Sequence, residues 1–364
     1  MMTVTKMCCD RKGVQWEQVD RDVNLLEMDM GVRRWVGLTG NSVALSVVSS
    51  LMALMSGCVN QSPCTQSSDA NSAAEPVIGD VYVGIGDPYT IGELPIVTLD
   101  VNRCDRSAPV ALRIHAPQAP GDYAIVVFQH GFMSRNSAYD DILSHVASHG
   151  LVVVAPQMYE PGIGPLLGNP TAAAEAELAA RVLDWLPGNV DALTGARART
   201  DRLGIAGHSR GGKVAWLAAV NDTSRLLAIA GVDPVDGMGG PFGGQGRAVQ
   251  GPFAFDFPSL AIGTELGGGC APAGDNHVQF YEASPSPAWH IIALGHGHGD
   301  MLDESEAAAA ALVCDSGPNR AGMRRLTAGL LAAFFRATLQ DDATGYSYLS
   351  APPVDTVEIQ FEAK

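Results

Sequence analysis

Residues Leu203–Trp216 read LGIAGHSRGGKVAW, and this stretch decides the fold. An apolar run, Leu203–Ala206, enters Gly207-His208-Ser209-Arg210-Gly211-Gly212, and a helical pattern follows at once. That is the strand, tight turn and helix of a nucleophile elbow, with Ser209 at its tip. The turn strains the serine backbone, and glycines two residues before and two after leave room for the close approach. The hydroxyl is then exposed at a helix N-terminus, where the dipole favours developing negative charge. The G-x-S-x-G spacing is weakly specific by itself; the strand before it and the helix after it supply the context.

Composition bounds the rest. The chain has 364 residues, of which 46% are hydrophobic, enough for one large α/β domain with a substantial core. A net charge of −16 argues against nucleic acid as a partner. No block of like charge stands out, so the acidity belongs to a solvated surface.

The N-terminal region reads as a targeting segment. Residues 1–27 are polar and without pattern; Arg33 and Arg34 then precede an apolar run, Val43–Met55, that ends in Ser56-Gly57-Cys58. A basic flank, a short apolar run and small residues before a cut make a secretory signal. The run is short for a membrane span. The ending Leu54-Met55-Ser56-Gly57-Cys58 resembles a bacterial lipobox, with the leucine one place early. Cys58 is therefore the expected lipidation site, and plain secretion and an uncleaved anchor are the alternatives. A start at Met28 or Met30 would give the signal an ordinary length. Residues 1–57 carry six basic and six acidic residues, so the net charge belongs to the remainder. Residues 58–76, rich in Ser, Asn, Gln and Ala, read as a flexible tether, and 77–364 as a single catalytic domain. Beyond Cys58 lie Cys64, Cys104, Cys270 and Cys314. An even number in an exported chain suggests disulfides, and Cys270–Cys314 with Cys64–Cys104 is the expected pairing; buried free thiols are the alternative.

The domain alternates strands and helices. Val77–Val101 reads as two short strands and Val110–Ala116 as a third. Ala124–Gln129 (AIVVFQ) and Leu151–Ala155 (LVVVA) are continuous apolar runs, the mark of strands buried on both faces. Ser137–His149 is helical. Thr171–Leu186 is a helix stopped by Pro187. After the elbow come strands at Leu226–Val232, Ser259–Gly263 and Ala288–Leu294, a last long helix within Gly317–Gln340, and a short tail. This order fits a mostly parallel central sheet covered by helices on both faces, the α/β-hydrolase fold. The loops 234–257 and 264–287 fall at the carboxyl edge of the sheet, where such folds place their sites.

A serine hydroxyl needs a general base, and the base needs an orienting acid. In this fold the chain order is serine, acid, histidine. Asp233 directly follows the strand after the elbow helix, in Gly231-Val232-Asp233-Pro234-Val235-Asp236-Gly237. It is the expected acid; Asp236 and Glu265 are the competitors. The base should follow the last strand, in Gly295-His296-Gly297-His298-Gly299-Asp300. Spacing does not separate His296 from His298. His277 is a third candidate, but it precedes that strand. The oxyanion needs two backbone N–H groups. The residue after the serine, Arg210, supplies one, and Phe132 in His130-Gly131-Phe132-Met133 supplies the other. His130 and His208 read as structural, and Arg210's side chain as an anchor for neighbouring carboxylates. No metal cluster or cofactor signature is found.

Several stretches together resemble the chlorophyllases: GHSRGG at Gly207–Gly212, GVDPVDG at Gly231–Gly237, Cys270-Ala271-Pro272 with Asn276-His277, and Gly297-His298 before Asp300-Met301-Leu302-Asp303. His130-Gly131-Phe132 with Arg135-Asn136-Ser137, Ser148-His149-Gly150 with Val153–Gln157, and Met323-Arg324-Arg325 continue the likeness from about residue 77 to 340. The resemblance implies hydrolysis of the phytyl ester of chlorophyll by Ser209, Asp233 and His298, and so selects His298 over His296. It implies an apolar ester substrate and no cofactor. The expected protein is a monomeric, exported serine esterase held at a membrane surface by lipid. A broad carboxylesterase, lipase or polyesterase with the same triad is the alternative, and a binding lipoprotein without turnover the remote one.

Overall fold

In a computed structural model, residues 79–162, 170–237, 246–352 and 357–364 are described, together with the backbone of 4–10 and 13–19. The signal region, Cys58, the tether and Cys64 lie outside the described residues, apart from that backbone. There the patternless reading of residues 1–27 needs correction, because Val4–Asp10 and Gly13–Val19 pair as antiparallel strands.

Among the described residues of 79–364, nine strands form one sheet: β1 (Ile96–Val101), β2 (Ala111–Pro117), β3 (Asp122–Gln129), β4 (Leu151–Gln157), β5 (Arg197–His208), β6 (Leu226–Val232), β7 (Ser259–Leu266), β8 (Ala288–Gly297) and β9 (Ile359–Ala363). They lie in the order β9-β8-β7-β6-β5-β3-β4-β2-β1. The run from β8 to β4 is parallel, while β1, β2 and β9 are antiparallel edges. Every residue of β3 and β4 is buried, which is why both read as unbroken apolar runs. Their side chains alternate between two cores. Ala124, Val126, Phe128 and Val153 face helices α1 (Asp140–Ser148) and α6 (Arg320–Leu339). Ile125, Val127, Val152 and Val154 face α2 (Ala172–Thr194) and α3 (Arg210–Asn221).

Four sequence expectations shift. Among the described residues of Val77–Val101, which begin at 79, only Ile96–Val101 is a strand; residues 79–95 run irregularly over α6. Their backbone is satisfied by side chains there: Gly84 N–H donates to Gln340, and Arg325 and Arg336 donate to the carbonyls of Tyr89 and Gly86. Pro187 and Gly188 kink α2, but the helix resumes to Thr194. The tail holds α7 (Gly345–Ser350) and the edge strand β9, and the loop regions hold α4 (His277–Ala283) and α5 (Glu304–Ala310). Strands β7 and β8 also run on, to Leu266 and Gly297, so that Glu265 and His296 are strand residues. Cys270 and Cys314 form a disulfide. Among the described residues no helix is long and apolar enough to cross a membrane.

Strands β3 and β5 are neighbours, yet the chain between them first visits β4 on the other side. The strand order therefore reverses at their carboxyl ends, which is where this architecture opens a crevice. His130 follows β3 there, Ser209 follows β5, Asp233 follows β6 and His298 follows β8.

Candidate active site

Ser209 joins β5 to α3 with φ 56° and ψ −124°, a strained conformation for a residue with a side chain. The two flanking glycines are required by space. A Cβ on Gly207 would lie 2.3 Å from the Gly211 carbonyl oxygen, and one on Gly211 would lie 2.2 Å from that of Gln129. The elbow is stitched to the next turn: Ser209 N–H donates to Val232 O, and Val235 N–H donates to Ser209 O. That second turn is strained too, with Asp233 at φ 42°.

These turns bring three side chains into line. His298 Nε2 lies 2.8 Å from Ser209 Oγ, and His298 Nδ1 lies 2.6 Å from Asp233 Oδ2. Asp233 is fully buried. Burial alone would push its carboxyl up; the hydrogen bond and charge of His298, with help from His277 and Thr264, outweigh that and hold it below the usual range. Thr264 donates to both carboxylate oxygens, from its hydroxyl at 2.8 Å and its amide at 3.1 Å. A buried carboxylate that accepts hydrogen bonds on both oxygens is fixed in orientation, as an acid that must hold an imidazole in one tautomer has to be. Thr264 escaped the sequence reading. Its only signal was a hydroxyl near the carboxyl end of the strand beside the acid.

The rival residues are engaged elsewhere. Asp236 pairs with buried Lys213 at 3.1 Å and accepts from the amides of Ala248 and Val249, so it ties down the chain at those two residues. Glu265 is exposed and accepts from Gly295 N–H. His296 points its two ring nitrogens at the carbonyls of Leu294 and Asn319. The geometry thus separates His298 from His296, which spacing did not: β8 ends between them and only His298 turns towards Ser209.

The Gly131 backbone lies against the elbow, with its Cβ position 3.3 Å from Ser209 Cβ. Its N–H is taken, because it donates to Tyr139 Oη. Tyr139 Oη in turn meets His208 Nδ1 at 2.9 Å, and His208 Nε2 donates to the His298 carbonyl at 2.9 Å. Since Nε2 carries the proton, Nδ1 accepts from the tyrosine. This relay braces the loop after β3, the elbow and the His298 turn with one buried network, and neither Tyr139 nor the relay was legible in sequence. Burial, seconded by His298, lowers His208 to about 3, and burial lowers His130 to about 4, so both are neutral at pH 7. His130 accepts from Met158 N–H and donates to Gly131 O, a structural part. The next amides, those of Phe132 and Arg210, make no hydrogen bond among the described residues, and Arg210 opens a helix where first-turn N–H groups are unpaired. The Arg210 side chain binds buried Glu175 at 2.7 Å and lies over the Phe132 ring. Burial pushes Glu175 up to about 7 against the opposing pull of Arg210.

A serine, a histidine and a buried, doubly hydrogen-bonded carboxylate thus meet at the crevice of an open, mostly parallel sheet covered by helices, the architecture of an α/β-hydrolase. The comparisons narrow the class. The family model described as Chlorophyllase matches residues 85–362. Chlorophyllase-2 of Arabidopsis thaliana is 32% identical over 269 residues, covering 66% of this chain and 81% of its own. Chlorophyllase type 0 of Chenopodium album is 33% identical over 276 residues, covering 68% of this chain and 76% of its own. The chloroplastic chlorophyllase-1 of Citrus unshiu is 33% identical over 261 residues, covering 67% and 77%. The chain belongs to the chlorophyllase family and is a carboxylic ester hydrolase.

Proposed function

We propose that this protein hydrolyses the phytyl ester of chlorophyll to chlorophyllide and phytol through a Ser209–His298–Asp233 triad. The observation that carries the reading is the unbroken hydrogen-bonded line from Ser209 Oγ through His298 to Asp233 in a chain of this family. Ser209 Oγ attacks the ester carbonyl carbon while His298 Nε2 takes its proton. Negative charge gathers on the carbonyl oxygen, stabilised by the Phe132 and Arg210 amides. The tetrahedral centre collapses, the C–O bond to phytol breaks, and His298 protonates the departing alcohol. A water then gives its proton to His298, attacks the acyl-serine and releases the carboxylic acid, and the proton returns to Ser209. Asp233 holds His298 in the required tautomer and stabilises the imidazolium throughout.

The same reading has the chain act as an exported monomer, anchored at a membrane through lipid on Cys58, next to its apolar substrate. Support for the anchor is the Arg33–Cys58 sequence alone; a Cys58→Ala chain that stays in the membrane fraction would remove it.

The test is incubation with chlorophyll a in detergent micelles, with product chromatography and a p-nitrophenyl ester run beside it. Chlorophyllide and phytol in equal amounts support the proposal. Aryl-ester turnover without chlorophyllide keeps the mechanism and replaces the substrate with simpler esters.

A further inference from the structure

Behind the triad runs a second line of side chains that the mechanism above does not use. His277, at the start of α4, points Nε2 towards Asp233 Oδ1 at 3.9 Å. Its Nδ1 lies 2.7 Å from Nε2 of His290 on β8, and His290 Nδ1 lies 3.5 Å from Glu362 Oε2 on β9. Both histidines are buried, whereas Glu362 is half exposed, so the line leads from the triad acid to solvent. The fold builds a place for it. His277 lies directly on the backbone of Gly263, where a Cβ would come within 2.3 Å of its Nδ1. The capping box of Asn276 and Gln279 fixes the first turn of α4. Thr264, next to Gly263, is the residue that holds Asp233.

Charge assigns the protons. A lone pair aimed at a buried carboxylate is repulsive, so the His277 proton sits on Nε2, facing Asp233. Nδ1 then accepts from His290 Nε2–H. Each N–H of the line points towards Asp233, and the dipoles add. The His290 Nδ1 lone pair is then left towards Glu362 at 3.5 Å, but that carboxylate is half exposed and screened by water, whereas Asp233 is fully buried and sets the direction. The other titratable groups around the pair are His298, Tyr281 of α4 stacked on His290, and Lys364 above the Tyr281 ring; β7 contributes Gly263 and Thr264.

We propose that His277, backed by His290, is a positioning residue for the reaction, which sets the basicity of His298 by aiming an N–H dipole at the far oxygen of Asp233. It touches no substrate. Burial keeps both histidines neutral near pH 7, so they act as an oriented dipole there rather than as a charge. This inference rests on the triad reading given above. Without His277, Asp233 faces His298 with its charge less compensated, and the imidazolium is held more strongly. The acid limb of kcat/KM therefore moves to higher pH.

The experiment is the pH profile of p-nitrophenyl ester kcat/KM for the wild type, His277→Phe, His277→Gln and His290→Leu. The rate of fluorophosphonate labelling of Ser209 is followed over the same range, as a readout that needs no substrate. We expect His277→Phe to raise the acid limb by about half a pH unit, roughly a threefold loss on that limb, with KM unchanged. His277→Gln, which restores an amide donor, should return most of the shift, and His290→Leu should move the limb in the same direction. If thermal melts show that His277→Phe does not fold, His290→Leu decides. Limbs that coincide with the wild type, with only the melting temperature lowered, would reduce the line to a structural feature and overturn the proposal. A wild type that neither turns over ester nor takes the label would overturn the triad reading and this inference with it.

Discussion

Replacing Gly207 by alanine tests whether the elbow's geometry, rather than its residue list, makes the site. The new methyl would lie 2.3 Å from Gly211 O, 2.4 Å from Gly211 C and 2.8 Å from Gly212 N, all backbone of the first turn of α3. Ordinary contacts begin near 3.4 Å, so strand and helix must part by roughly 1 Å. The helix start has nowhere to go. Gly211 abuts the carbonyls of Gln129 and His130, and Gly212 abuts Pro234. The strain falls on Ser209, which sits between the two elements, 2.8 Å from His298 Nε2. Overpacking of this kind costs about 1–3 kcal/mol of stability. A misplacement of about 1 Å at the reacting atom costs about 100-fold in rate, or about 2.7 kcal/mol. The assay is ester kcat/KM beside a thermal melt, with Gly269→Ala, where the added methyl meets nothing, as the control. A Gly207→Ala protein with wild-type kcat/KM and melting temperature would refute the steric reasoning.

Thr264→Val removes one hydrogen bond to the buried Asp233 carboxylate and keeps the shape; kcat should fall roughly tenfold, and Thr264→Ser should stay near wild type, because charged hydrogen bonds contribute about 1.5–3 kcal/mol. Loss of Cys270–Cys314, which closes 44 residues, should lower stability by about 4 kcal/mol, read as a drop in the urea midpoint of Cys314→Ser against the oxidised wild type. Acid should destabilise the fold through buried neutral histidines. His130 and His149 are lowered to about 4 and His208 to about 3, so between there and 6.5 the unfolded chain binds more protons. Stability then rises with pH up to about 6.5, by about 1.4 kcal/mol per histidine per pH unit, and levels off above; urea melts equal at pH 5 and pH 8 would contradict this.

What was legible in the sequence was local. The elbow declares itself because its steric demands fall within six residues, Gly207–Gly212. Strands β3 and β4 declare themselves because burial on both faces leaves no polar position. Asp233 was legible as the candidate acid from its place at the end of β6. His298 was not separable from His296 by spacing, since the choice depends on where β8 stops, and strand ends are poorly marked. Thr264, Tyr139 and the His277–His290 line were hidden because their partners lie far along the chain: Tyr139 meets His208 across 69 residues, and Thr264 meets Asp233 across 31. The edge strand β9 does alternate, as Ile359-Gln360-Phe361-Glu362-Ala363, but it is five residues long and mostly exposed, too short a pattern to announce a strand in a tail. Residues 79–95 misled for the opposite reason. Their apolar content serves contact with α6, and side chains replace a neighbouring strand as hydrogen-bond partners.

The central claim is that Ser209 is a nucleophile activated by His298 and Asp233. The most direct test is labelling with a fluorophosphonate followed by peptide mapping, on the wild type, Ser209→Ala, His298→Gln and Asp233→Asn. The account predicts one label per chain, on the peptide carrying Ser209, absent in Ser209→Ala and slowed by several powers of ten in the other two. A label on another residue, or labelling of Ser209 at the same rate without His298, would contradict it.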